Sequence, residues 1–180
     1  MTFFSVDVEA DGPIPGPYSM LSVGVVAVRP GLNDRFYAEL RPISDRWVPE
    51  ALAVSGLDRD ALMAEGADPA EAMADLRRFV TEASKGRAVF VSDNPGFDFA
   101  FVNHYLHSYP PHGDEPANPF GHSSRRIGDL WAGMIGDASA SSDWKSMRVT
   151  AHTHNALDDA VGNAEALMRF KERGLRIGFR

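Results

Sequence analysis

The stretch Phe3-Phe4-Ser5-Val6-Asp7-Val8-Glu9 decides how the rest of the chain is read. A short apolar run interrupted by small and acidic residues has the pattern of a buried strand. Side chains two apart in a strand face the same side. Asp7 and Glu9 therefore share one face, and Val6 and Val8 share the other. Two carboxylates on one face of a central strand repel each other and lose solvation unless something neutralises them. A divalent metal does so, and hard oxygen donors select magnesium, manganese or calcium over softer ions. An edge strand with one wet face would explain the same pair without any metal.

Working outward, Gly12-Pro13-Ile14-Pro15-Gly16-Pro17 cannot be regular structure, because its three prolines lack donors and hold φ fixed. The valine-rich segment 19–28 predicts a second strand, and the alternation over 35–40 a third, so the chain opens as an antiparallel meander. Asp68-Pro69 has the signature of an N-cap followed by proline at the first helical position. Ala72, Leu76, Phe79, Val80 and Ala83 then recur at helical spacing until Gly86. Residues 88–91 predict a short strand, 97–107 a helix, and 157–171 a last helix with Leu157, Ala160, Val161, Ala164, Leu167 and Met168 on one face. The segment 109–119 holds four prolines and predicts a surface loop. A meander followed by alternating helix and strand implies an α/β domain, one mixed central sheet flanked by helices. With no repeat or linker, residues 1–180 read as a single domain.

Composition narrows the function. With 44% apolar and 24% charged residues the chain is not a disordered protein. The absence of cysteine excludes disulfides, zinc-thiolate sites and thiol catalysis. A net charge of −7 argues against an electrostatic grip on long duplex nucleic acid, but not against an enzyme that holds a few nucleotides at a strand end. The start of the chain lacks the basic flank of a signal peptide, and no run approaches the roughly 18 apolar residues of a membrane span. A cytoplasmic protein without a membrane partner is the expectation.

Two further places carry chemistry. In Val91-Ser92-Asp93-Asn94-Pro95-Gly96-Phe97-Asp98 a strand ends, a turn follows, and Asp98 enters the first turn of a helix. In His152-Thr153-His154-Asn155-Ala156-Leu157-Asp158-Asp159-Ala160, two aspartates open the last helix and His154 stands just before it. Acids in a first turn complement the helix dipole, so each place has an ordinary structural explanation when taken singly.

Taken together, Asp-x-Glu on the first strand, Phe-Asp opening a middle helix and His-x4-Asp opening the last helix resemble the DEDD superfamily of exonucleases, histidine subclass. The resemblance runs from Phe4 to Leu167 and includes Val54-Ser55-Gly56-Leu57, which looks like the family's segment after its third strand. The most specific piece is the run from His154 to Ala160. It implies a ribonuclease H-like fold and a 3′→5′ exonuclease that uses two divalent cations, Mg2+ or Mn2+. By that resemblance Asp7 bridges the metals, Glu9 and Asp159 complete the first site, Asp98 supports the second, and His154 is the general base. The implied substrate is the 3′ end of a single-stranded nucleic acid, and the implied product a nucleoside 5′-monophosphate. Free-standing domains of this kind resemble oligoribonuclease and ribonuclease T, which leans the expectation toward RNA or short oligonucleotides and, by analogy, toward a homodimer. There are departures: Asp93-Asn94 stands where many relatives carry His-Asn, and the loop after Glu9 is unusually rich in proline.

Met20, Leu21 and Phe97 lie near the acids and are candidates to pack on terminal bases, unless they belong to the core. Arg125 and Arg126 are candidate phosphate contacts, unless they sit in a solvated loop, and Asp11 and Asp158 read as outer or solvent-facing acids. Three rivals remain. A non-catalytic module that binds nucleic-acid ends would be favoured by loss of one of the five residues, and none is lost. A phosphatase with Asp7 as nucleophile usually wants aspartate where Glu9 stands. A purely structural domain explains Asp98 and Asp159 but not Asp7 with Glu9.

Overall fold

The computed structural model describes residues 1–113 and 115–177. Its five strands are Thr2–Ala10 (β1), Met20–Ala27 (β2), Arg35–Glu39 (β3), Ala88–Ser92 (β4) and Ser124–Arg126 (β5). They form one sheet in the order β3-β2-β1-β4-β5. The first three strands are the antiparallel meander, while β4 pairs parallel with β1, and β5 parallel with β4. The strand bearing Asp7 and Glu9 is thus central, and the wet-edge explanation of that pair falls away.

The alternation of β1 builds two cores. Phe4, Val6 and Val8 point into one, with Val23, Val25 and Phe90, against the helices Pro69–Ala83 (α3) and Pro95–Ser108 (α4). Phe3 points into the other, with Val26, Val89 and Val91, against the helices Ile127–Ile135 (α5) and Ala156–Glu172 (α6). Burial of each such side chain contributes about 1.5–3 kcal/mol, so register is strongly enforced: a one-residue slip would turn the acids into an apolar core. The α3 cap is as expected, with the Asp68 carboxylate accepting from the backbone N–H of Ala70 and Glu71.

Besides two short 3-10 helices, Ala138–Ala140 and Asp143–Met147, four elements among the described residues lie outside the expected set. Pro49–Ser55 (α1) and Arg59–Glu65 (α2) are helices of about two turns, too short for apolar periodicity to register. Gly56 ends α1 in the left-handed conformation at φ 66°, and the Asp58 carboxylate caps α2. Ser124–Arg126 is the edge strand β5 rather than a loop, and its polar sequence hides that pairing. It runs straight into α5, which is also not expected. The proline-rich segment 109–119 lacks regular structure, as expected, with Asp114 outside the described residues. No helix among the described residues is long and apolar enough to cross a membrane.

Candidate active site

The site forms where the end of β1 meets the start of α6, and a glycine makes the meeting possible. Asp7 sits opposite Gly24 of β2 in the sheet register. A methyl on Gly24 would come within 2.5 Å of the Leu157 nitrogen and closer still to the Ala156 carbonyl. The first turn of α6 therefore lies directly on the sheet beside Asp7. Asn155 caps that turn by accepting from the N–H groups of Leu157 and Asp158, at 3.0 and 3.1 Å.

Asp159, fully buried, organises the segment in front of the helix. Its Oδ1 accepts from the Thr153 N–H at 3.2 Å and lies 2.8 Å from His152 Nδ1, while its Oδ2 accepts from the His154 N–H at 3.0 Å. The Arg148 guanidinium stands 3.8 Å away and also engages Asn163. Wrapped around this carboxylate, the backbone at His154 takes a positive φ of 58°, a conformation few residues other than glycine adopt. Such strain persists where the surroundings over-determine it, and it clusters at functional sites. It brings the His154 imidazole back over β1, with Nδ1 3.9 Å from Glu9 Oε1. Asp158, one residue from Asp159, is exposed.

From the other side, α4 begins just after β4 and carries Asp98 in its first turn, where the Asn94 N–H donates to its Oδ2 at 3.3 Å. Asp98 is buried, Glu9 is buried, and Asp7 is half-buried. One carboxylate oxygen from each of Asp7, Glu9 and Asp159 lies within 4.8 Å of the others. Burial pushes the Asp7 carboxyl well above the usual range, and Asp98, Asp159 and Glu9 push it further, with Arg148 opposing them. Burial, then Asp159 and Asp98, raise Glu9 to about 8. Burial raises Asp98 to about 7 against the hydrogen bonds that hold it down. A set of hard oxygen donors pushed up by burial and by one another's charge fits a divalent metal, which would displace the protons on binding.

These groups open on a groove of about 530 Å3, lined by Asp7, Glu9, Asp98, His152 and His154 on its polar side. Its apolar wall is Pro13, Val48, Ala51, Val54 and Phe97. Phe97, half-buried and packed on Phe101 at 4.9 Å, lines the groove. Met20 and Leu21 do not. Both are fully buried, and the Met20 N–H donates to the Tyr105 hydroxyl at 2.8 Å, so neither has surface to offer a base. The apolar lining comes instead from α1 and the residue before it, through Val48, Ala51 and Val54.

Other expected contacts also move. The Arg126 guanidinium is engaged by the Asp93 carbonyl and the Asp129 carboxylate, and Arg125 lies over the Phe3 ring. Neither lines the groove. Asp11 is not solvent-facing. It is fully buried, accepts from the Ser19 N–H at 2.6 Å and pairs with Arg59 Nε at 3.2 Å, tying the proline-rich loop to α2. Asp93, where many relatives carry histidine, pairs with Lys145 at 2.8 Å. His152 and Arg148 are the residues that sequence reasoning passed over. Only their nearness to Asp159 in space marks them, although His152-x-His154 was a visible pattern.

A central mixed sheet with carboxylates converging from its middle strand and two helix starts defines a ribonuclease H-like nuclease. No protein-family model matches the chain. It is 38% identical over 176 residues to the 3′-5′ DNA exonuclease Cap18 of Escherichia coli, across 91% of this chain and 88% of that protein. Solved structures agree on the fold. The zinc-bound complex of E. coli exonuclease I with single-stranded DNA superposes with a TM-score of 0.73 at 16% identity, covering 98% of this chain. A 3′-exonuclease that recognises the histone mRNA stem-loop gives 0.75 at 15%, again over 98%. Mg2+- and Mn2+-bound Pop2p of S. pombe gives 0.67 at 15%, over 99% of this chain and 86% of that one. The chain spans 41% of the exonuclease I structure and 65% of the histone mRNA enzyme. It belongs to the DEDD superfamily of 3′-5′ exonucleases.

Proposed function

We propose that the chain removes nucleotides one at a time from the 3′ end of single-stranded DNA, releasing nucleoside 5′-monophosphates with the help of two Mg2+ or Mn2+ ions. The observation that carries this reading is the convergence of Asp7, Glu9 and Asp159 from β1 and α6, with Asp98 entering from α4 and His154 at the groove edge. The relative named as a DNA exonuclease supports DNA over the RNA toward which chain size leans.

Asp7, Glu9 and Asp159 would hold one cation, and Asp98 together with Asp7 the other. Bound there, the pair supplies a nucleophilic water and stabilises the departing 3′ oxygen. The protein does the rest. Thr153 and His154 N–H groups fix the Asp159 carboxylate in place before any ligand arrives. With Nδ1 of His154 turned toward Glu9, Nε2 is the nitrogen left to take the proton of the attacking water. Val48, Ala51, Val54 and Phe97 shield one side of the groove from water and offer an apolar surface to the terminal base.

The test uses 5′-labelled DNA and RNA oligonucleotides with Mn2+, Mg2+ or chelator, beside Asp7→Ala. A metal-dependent ladder that shortens from the 3′ end, faster on DNA and absent in the variant, is the expected result. Retention of the strand without shortening would make the chain a binding module instead, and faster loss of RNA would overturn the sugar preference.

A further inference from the structure

His152 and His154 are two residues apart, a spacing that puts both side chains on one side of an extended chain. Here they are together. The ring centroids lie 4.3 Å apart with the ring planes at 60°, and the His154 backbone has a positive φ of 58°. Both rings reach toward Asp159, with ligand atoms of His152, His154 and Asp159 all within 4.8 Å of one another. His152 Nδ1 is already 2.8 Å from Asp159 Oδ1. About half of each imidazole is exposed, so both rings can turn and be reached from solvent, while the carboxylate is held by two backbone N–H groups.

Two imidazoles and one carboxylate are a different donor set from the all-carboxylate cluster next to it. Oxygen donors alone suit magnesium and manganese, whereas imidazole favours zinc and its neighbours late in the first transition row. Three protein ligands with an open fourth position is the arrangement of many catalytic zinc sites. Zinc bonds of about 2.0–2.1 Å place tetrahedral donors roughly 3.3 Å apart, which the mobile rings reach by small rotations.

We propose that His152, His154 and Asp159 form a second, inhibitory metal site that takes Zn2+. The inference rests on His154 being the base and Asp159 a ligand of the working metals. Zinc held there engages the His154 imidazole that would accept the proton and ties up the Asp159 carboxylate that the working metals need. Hydrolysis stops while the strand-binding groove stays intact.

The experiment uses the full chain, stripped of metal, as wild type, His152→Ala, His152→Asn and Glu9→Gln. Zinc affinity is read by competition with a chromophoric chelator, and coordination by the visible absorption of Co2+ in place of zinc. Mn2+ affinity is followed by electron paramagnetic resonance. The wild type and Glu9→Gln are expected to show the intense bands of four-coordinate Co2+. Both His152 variants should lose those bands and bind zinc at least about tenfold more weakly, with a smaller change for Mn2+. In Mn2+-driven strand shortening, zinc should arrest the wild type at concentrations about tenfold below those that arrest His152→Ala, each against its own zinc-free rate. Equal zinc affinity in wild type and His152 variants, or loss of the Co2+ bands only in Glu9→Gln, would assign zinc to the carboxylates and overturn the proposal. Failure of all forms to shorten a strand in Mn2+ would sink the exonuclease reading instead, and would leave the binding measurements to decide on the site.

Discussion

Gly24→Ala is the sharpest test of how the site is assembled, because it lies outside the groove and touches no proposed ligand. The added methyl would stand 2.5 Å from the Leu157 nitrogen and nearer the Ala156 carbonyl, where 3.4 Å is the lower end of ordinary contact. Both neighbours are backbone in the first turn of α6, so no side chain can swing away. Either β2 or α6 must retreat by about 1 Å. Overpacking of this kind costs about 1–3 kcal/mol of stability. Retreat of α6 carries Asp159 and His154 with it, while Asp7 and Glu9 stay on β1. A displacement near 1 Å in a catalytic constellation costs on the order of 100-fold in rate. Urea unfolding, Mn2+ affinity and the single-turnover rate on a labelled oligonucleotide read the three effects. Gly133→Ala is the control, since nothing lies within 4 Å of its added methyl and helix propensity favours alanine by up to about 1 kcal/mol. A Gly24→Ala protein with wild-type Mn2+ affinity and rate would refute the claim that this contact positions the acids.

Glu9 at about 8 and Asp98 at about 7 keep their protons in the folded, metal-free protein at pH values where unfolded carboxyls have lost them. Folded pKa values raised above unfolded ones mean that the folded state binds more protons, so metal-free stability should fall as pH rises from about 5 to about 8. Each fully protonated group contributes about 1.4 kcal/mol per pH unit, with a smaller share from Glu9 because it borders the groove. Urea midpoints in chelator should show this fall and saturating Mn2+ should flatten it; a metal-free protein that gains stability over that window would contradict the raised carboxyls. Asp7→Asn removes the carboxyl most pressed by burial and by Asp98, Asp159 and Glu9. At pH about 8 it should make the metal-free protein more stable by about 1 kcal/mol and abolish hydrolysis, and a less stable variant would count against the electrostatic account. Asp11→Ala strips the partner from Arg59 and the acceptor from the Ser19 N–H, both buried or nearly so. Breaking such a pair costs about 3–5 kcal/mol, readable by urea unfolding, and a loss below about 1 kcal/mol would demote the link between the proline-rich loop and α2.

The placement of the four acids was legible before folding because each sits in a local pattern, although no pattern taken singly pointed to chemistry. Strand alternation sets Asp7 and Glu9 on one face, and start signals place Asp98 and Asp159 in first turns. What periodicity needs is length, and α1 and α2, of seven residues each, do not supply it. Met20 and Leu21 read from sequence as candidates to pack on terminal bases or as core; they are as hydrophobic as Val54 but are fully buried in the sheet. Apolar character says that a side chain avoids water, not whether the surface it avoids water with is a core or a ligand.

Local sequence determined the sheet's opening meander and the shared face of Asp7 and Glu9, since these depend on spacing within single elements. Only the tertiary structure decided which groups meet across elements: Gly24 admitting α6, Asp11 tied to Arg59, and His152 turned onto His154 and Asp159. The physical reason is that such contacts depend on distances between segments far apart in sequence and on one strained backbone angle, and neither quantity is carried by the order of residues along a single element.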